Sequence, residues 1–554
     1  MGCLNARELE KKISGKAFRT LFDIMALVFF ILMILLPTLF LFVYVVTDWN
    51  EIVEFVFKNP VSGNIRWFRM IDAIRISFQV AFITTVIDLI VGVPLALLLA
   101  RYEFKGRRLL DALVDLPMGV PSAALGASMV LFWATGYGLG PLFGRPAGLL
   151  TRGFWLIVLT HVTFTFPYIV RSLVGVIEGV DVTYEHASRT LGAPSFTTFR
   201  TITAPLSLPG IMAGAILAFT RSLGETGATM IVAGLVETAP LAVVAMHERR
   251  LVASAAFLSM LLVLVGLAML GAMRFVAEKF GLPFRGAWPE VERKLSGKPQ
   301  RAFRDIGTIS FLGSLIILPS CFSIPYVVRF WPLVSHEVFL AEDEKWKLLV
   351  DSLMTSFEVA FLATAVNLVL GLCMAILIVR RDWGRFNKLL DMLVDVPLVI
   401  PTAALGFSVY LFWGPRGLGL FETGFWLIVL THVTFTYPYV VRTLVAALRN
   451  VDPSLEEAAR TLGAPPLTAF RTVVLPLIGP GLFAGAVMAF TRSLSETGAT
   501  IVVMGTARTV PVLIVEWMEA SVHAAAFASA ILIFVCYGLL CYGLLLALRY
   551  ATRR

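Results

Sequence analysis

The sequence predicts an all-α polytopic membrane protein of about twelve transmembrane helices, arranged as two parallel six-helix repeats. Three observations carry this. The 554-residue chain is 58% hydrophobic and only 15% charged, against about 25% charged residues in soluble domains. Apolar runs of the roughly 20 residues needed to cross a hydrocarbon core recur along its length. The second half repeats the first almost word for word in several places.

In the first half, spans are predicted over 24–46, 73–100, 113–134, 154–177, 208–234 and 254–276. In the second they fall over 308–329, 350–379, 393–413, 425–447, 479–505 and 524–548. The implied organisation is an N-terminal segment 1–23, a first half 24–277, a linker 278–307, a second half 308–548 and a tail 549–554. The opening "MGCLNARELEKKISGKAFR" leads into a run long enough to stay in a bilayer, so it does not read as a cleavable signal. Cys3 follows no apolar region, and the five cysteines form no CxxC pair; packing is their expected role.

The repeat is explicit. "GFWLIVLTHVTFTFPYIVRSLV" at Gly153 returns as "GFWLIVLTHVTFTYPYVVRTLV" at Gly424, and "AFTRSLGETGAT" at Ala218 as "AFTRSLSETGAT" at Ala489. "LVDLPMGVPSAALG" at Leu113 returns as "LVDVPLVIPTAALG" at Leu393. Six spans per half is an even number, so both copies cross in the same direction, about an axis along the membrane normal.

Lysine and arginine set the orientation. The N-terminus, "RYEFKGRR", "RRDWGRFNK", the central link and the C-terminal Arg549, Arg553 and Arg554 are basic, whereas "TDWNEIVEFVFKN" and "HEVFLAEDEKWK" lean acidic. Both termini are therefore expected in the cytoplasm. The net charge of +9 is then mostly this inside bias, not a footprint for nucleic acid.

Two polar stretches interrupt the apolar pattern. "YEHASRTLGAPSFTTFRTITAPL", Tyr184 to Leu206, and "LEEAARTLGAPPLTAFRTVVLPL", Leu455 to Leu477, each lie between the fourth and fifth spans. The second reads as a short helix closed by Gly463, with Pro465 preventing its continuation. A mere connector needs no retained sequence, yet Arg-Thr-Leu-Gly-Ala-Pro, Phe-Arg-Thr and Pro-Leu appear in both. Both loops are expected to meet the same kind of partner.

These stretches resemble the EAA loop of ABC-importer permeases. The resemblance extends to nearly the whole chain and implies the Type I importer permease fold, with two halves fused. It implies that the loops are coupling helices docking on an ATP-binding subunit, two copies in all. Glu456, Glu457, Ala458, Ala459 and Gly463 carry the pattern in the second loop. In the first, Glu185, His186, Ala187 and Gly192 stand there, with His186 at the position of the Glu, which predicts asymmetric coupling. No GxxxxGK[ST] pattern appears, so ATP and Mg²⁺ are expected on the partner and no cofactor on this chain. An extracytoplasmic solute-binding protein is the other implied partner, and the cell membrane the implied location.

Arg221 and Glu225, like Arg492 and Glu496, are four residues apart within the fifth spans. On a helix they share a face and can pair, which offsets a cost of at least about 2.5 kcal/mol for a charge in the membrane. Polar glue and a pathway lining are both open, and compatible. Thr229, Thr500, His161 and His432 join them as pathway candidates, although a lone intramembrane histidine is more often a packing hydrogen-bond partner than a metal ligand. Pro117, Pro121, Pro397 and Pro401 are expected to bend the third spans, with Asp115 and Asp395 as caps at those bends. The "G-E-T-G-A-T" stretch resembles that of sulfate, molybdate and tungstate permeases and, more loosely, phosphate permeases. Fused halves also occur in ferric-iron and thiamine permeases, so these substrates stay open. A secondary transporter with parallel repeats is the competing class, and an integral-membrane enzyme the third; the paired loops favour the importer.

Overall fold

The computed structural model describes residues 16–58, 63–279, 289–340 and 344–552. The N-terminal residues up to 15, with Cys3, the linker centre 280–288 and the acidic 341–343 lie outside the described residues.

Helices dominate because a backbone in lipid must satisfy its own hydrogen bonds. Among the described residues, eight helices are long and apolar enough to cross a membrane unaided, from Thr20–Thr47 to Val522–Leu539, and counting each of three bent pairs as one span brings the number to eleven. Phe425–Arg449, the 25-residue helix that repeats Phe154–Gly179, corresponds to the predicted span 425–447 and falls outside that number. Its Thr431, His432, Thr434 and Thr436 are all buried, as are Thr160, His161, Thr163 and Thr165 of its mate.

The third spans do break where the prolines stand. Arg107–Gly119 meets Ser122–Trp133 at 105°, and Arg385–Val399 meets Thr402–Trp413 at 106°. The expected uninterrupted runs 113–134 and 393–413 are thus each a surface leg followed by a 12-residue helix, about 18 Å long. Every residue of Ala123–Trp133 is buried. The fifth span of the first half is also broken, by 70° between Ser195–Leu206 and Leu208–Leu223.

Four prolines leave a common mark. The turns Ile31–Leu35, Phe199–Thr203, Leu312–Ile317 and Phe470–Val474 are widened to π geometry. They precede Pro37, Pro205, Pro319 and Pro476 respectively. A proline ring clashes with the carbonyl four residues earlier, and in each case that carbonyl lies inside the widened turn, which accommodates it.

The halves are interleaved. Phe29 and Phe30 of the first span pack on Tyr437 of the second half, and Thr434 donates to the Met33 carbonyl at 3.0 Å. Reciprocally, Phe322 and Phe311 of the second half pack on Phe132 and Phe166 of the first. The linker is not all linker: Pro289–Leu295 is a short helix, and Lys298–Phe311 runs straight into the second half's first span.

Candidate functional site

The two polar loops form matching helices, Val182–Thr190 and Pro453–Thr461. Asp181 caps the first by accepting from the Thr183 N–H at 2.8 Å, and Asp452 caps the second through Ser454 at 2.9 Å. Each backbone bond holds its carboxyl below the ordinary value of 3.8. The helices end on Gly192 (φ +88°) and Gly463 (φ +91°), a left-handed conformation that glycine adopts without strain. In the second loop the Gly463 N–H returns to Arg460 O at 3.0 Å and the Ala464 N–H to Ala459 O at 3.1 Å, the paired closure of a glycine-terminated helix.

Their contents differ. Glu185 is buried: the Arg101 Nε donates to it at 3.0 Å and the Thr203 hydroxyl at 3.0 Å. Its positional counterpart Glu456 is half-buried and Glu457 exposed, while His186 and Ala187 are exposed in the first loop. Val474 stands where Thr203 does, and the Arg380 Nε, the equivalent of the Arg101 donor, has no hydrogen-bond partner among the described residues. Glu185 therefore faces the membrane domain and is not presented as a docking group. Beside each glycine stands a leucine that the motif reading passed over: Leu191 is 89% and Leu462 90% exposed. One exposed leucine means little, but the same residue bared at both repeats, near exposed Tyr184 and Leu455, makes two matched apolar handles.

The second cluster lies where the halves meet. The helix Leu208–Leu223 stops before Glu225, and a new one starts at Gly227. Arg221 and Glu225 thus do not share a helix face; the carboxylate is presented by the break. They still pair, Nη1 to Oε2 at 2.5 Å, and Arg492 pairs with Glu496 at 2.6 Å. The other oxygen of each carboxylate accepts a backbone N–H, from Ala228 at 3.1 Å and Ala499 at 3.0 Å. Both glutamates are 3% exposed in the side chain, whereas the arginines keep 23% and 18%. The guanidinium groups lie over Phe164 and Phe435, 4.9 and 5.2 Å from the ring centres.

Behind the break sits the histidine. The Thr229 hydroxyl donates its proton to Glu225 O at 3.1 Å, so it must accept from His161 Nε2 at 2.9 Å. The Nδ1 then accepts from Ser222 Oγ at 2.7 Å. His432, Thr500 and Ser493 repeat these bonds at 2.9 and 2.7 Å. Both ring nitrogens are engaged, which braces the break and leaves no lone pair for a metal.

At the axis the motifs of the two halves touch. Gly227 lies against Thr497, and Gly498 against Thr226. The hydroxyls of Thr226 and Thr497 are buried without a hydrogen-bond partner among the described residues. Asp115 and Asp395 are not caps as expected. With Asp111 and Asp391 they bind Arg171 and Arg442 of the fourth spans, at 2.5 and 2.6 Å for the nearest Asp115 and Asp395 contacts.

The arrangement offers two partly accessible guanidinium groups whose carboxylates are turned away and already hydrogen-bonded. An anion approaching them meets N–H donors before it meets negative charge.

Comparison with known proteins places these features in a family. The family model described as binding-protein-dependent transport system inner membrane component matches residues 92–281 and 367–554. The sulfate transport system permease protein of Salmonella typhimurium is 35% identical over 167 residues, 30% of this chain and 60% of its own length. The molybdenum transport system permease protein of Escherichia coli K12 is 39% identical over 163 residues, 29% of this chain and 70% of its own. The molybdate/tungstate transport system permease protein of Pyrococcus abyssi is 30% identical over 211 residues, 38% of this chain and 76% of its own.

Proposed function

The chain belongs to the family of binding-protein-dependent transport system inner membrane components, and from that premise we propose that it forms the whole translocation pathway of an ATP-driven importer for an inorganic oxyanion. Both halves of the pathway lie in one polypeptide. The loops at Val182–Thr190 and Pro453–Thr461 are the docking handles for two copies of an ATP-binding subunit in the cytoplasm, which carries the ATP and Mg²⁺. The acidic loops on the other side receive a solute-binding protein. Both termini then lie in the cytoplasm, and the chain resides in the cell membrane.

Support for the oxyanion comes from relatives named for sulfate, molybdenum and tungstate, and from the two arginines at the axis with their glutamates turned away. The single observation that carries the importer reading is the duplication of a capped, glycine-closed helix with a bared leucine. A one-component transporter has no use for two such handles.

The test is reconstitution with candidate ATP-binding and solute-binding proteins from the same organism. Sulfate, molybdate, tungstate and phosphate are each offered to the binding protein, and ATP hydrolysis and uptake are measured. Stimulation by one or more of these oxyanions supports the assignment. Stimulation by ferric iron or thiamine alone removes the oxyanion, and uptake by the purified chain without ATP removes the importer.

A further inference from the structure

A cavity of about 760 Å³ opens beside the first coupling loop, on the same face. Its walls come from the end of the second span, the first coupling helix with its elbow, and the start of the second half. The linker is fastened there. Glu292, buried, pairs with Arg200 at 2.9 Å and accepts from the Thr197 hydroxyl at 2.5 Å, while the Phe196 N–H donates to Ser296 Oγ at 2.9 Å.

One wall is apolar: Val93, Pro94, Leu97, Phe199 and Phe303. Phe303 is 82% exposed and Ile306, a turn further into the same helix, 65%, as befits side chains that meet lipid. The polar side is basic. Arg101 is balanced by Glu185 and Arg304 by Asp305, but Arg189 and Arg301, which also line the cavity, have no carboxylate partner among the described residues. The Arg301 Nε is buried without a hydrogen bond, and His186 adds a further polar group.

We propose that this cavity binds one anionic phospholipid, its phosphate among Arg189 and Arg301 and an acyl chain along Val93, Leu97 and Phe303. The volume is in the range of about 300–1,000 Å³ that holds organic ligands, more than a bare inorganic anion fills. Basic pockets beside transmembrane helices select anionic headgroups. The site also belongs to one half by sequence. "SGKPQRAFR" at Ser296 matches "SGKAFR" at Ser14 with Pro299-Gln300-Arg301 inserted, and the second loop has Glu457 where the first has His186. A lipid bound there joins the second span, the first coupling loop and the linker, and so tunes one of the two loops and not the other.

The test is native mass spectrometry of the purified full chain in detergent, titrated with phosphatidylglycerol or phosphatidylcholine of matched acyl chains. The expected result is one tightly retained phosphatidylglycerol per chain, weakened roughly tenfold by Arg301→Glu, which reverses one charge. Arg301→Lys retains it, and Leu97→Trp, which fills the apolar wall with the charges intact, loses it. Melting curves confirm that the variants are folded. Equal retention of phosphatidylcholine, equal retention by Arg301→Glu and Leu97→Trp, or no retained lipid at all overturns the proposal. Displacement of the lipid by millimolar inorganic phosphate overturns it in favour of a free-anion site.

Discussion

Thr497 reaches across the axis to Gly227: a Cβ on that glycine would lie 2.5 Å from the threonine hydroxyl oxygen, and one on Gly498 would lie 2.5 Å from Thr226 Cβ. The contact is reciprocal, so both halves are held by one surface. Gly227→Ala and Gly498→Ala should each destabilise the folded chain by about 1–3 kcal/mol through overpacking. The double variant should cost less than the sum, because both act on a single interface. Thermal melting of the three variants checks this; strict additivity would mean that the contacts are independent.

The buried ion pairs give a second expectation. Arg221→Ala strands Glu225 and should cost roughly 3–5 kcal/mol, whereas Arg221→Ala with Glu225→Gln should recover most of that. Uptake separates the roles. If the pair is only structural, the double variant regains transport along with stability; we expect stability to return and transport to stay lost.

Glutamates at neighbouring positions of the loops should behave differently. Glu185→Ala leaves Arg101 partly buried without its carboxylate and should lower stability by about 1–3 kcal/mol. Glu457→Ala should leave the melting temperature unchanged and weaken retention of the ATP-binding subunit. Leu462→Ser should do the same. Melting and co-purification on the same preparations decide it.

The helix caps set a pH limit. Asp181 and Asp452 have their carboxyls lowered by the backbone N–H groups of Thr183 and Ser454. A lowered folded-state value means that the caps stabilise fully above the unfolded value, near 3.8, and fade as pH falls through the lower folded one. Amide protection factors at 182–190 and 453–461, corrected for the intrinsic exchange rate at each pH, should therefore be flat from neutrality to about pH 4 and fall below it. Asp452→Asn, which still caps, should remove the pH dependence in the second loop alone.

Asp88 is fully buried, accepting from Thr165 with one oxygen and, among the described residues, nothing with the other. The second half places Asn367 there, donating to Val433 O and to Thr436. Asp88→Asn should keep activity and raise the melting temperature, since a neutral amide avoids the penalty of an ionisable group in an apolar site. A lower melting temperature would show that the acid is needed.

How far the sequence discloses this molecule depends on the range of each interaction. The loop helices at 182–190 and 453–461, their glycine stops and the bends at Pro121 and Pro401 rest on a few adjacent residues, and their shape was readable, whereas what docks on them is left to the proposal. The inward turn of Glu185 was not readable, because Arg101 lies 84 positions away and no local pattern ties the two. Asp115 looked like a cap for the same reason: its partner Arg171 is 56 positions on. Repeats announced that Thr226-Gly227 and Thr497-Gly498 are equivalent, but not that equivalents touch. Helical spacing likewise misplaced Glu225, since Gly224 ends the helix one residue too soon.

The interleaving of the halves has a consequence in time. The bond between Thr434 and Met33 joins residues 401 positions apart. At synthesis rates of about 5–20 residues per second, the first span waits on the order of 20–80 s in the bilayer for the surface it will cover. Throughout that interval Phe29 and Phe30, which end against Tyr437, have no finished neighbour. Assembly of this chain is thus scheduled by its last third, and a truncated product would hold an orphaned helix with its aromatic face uncovered.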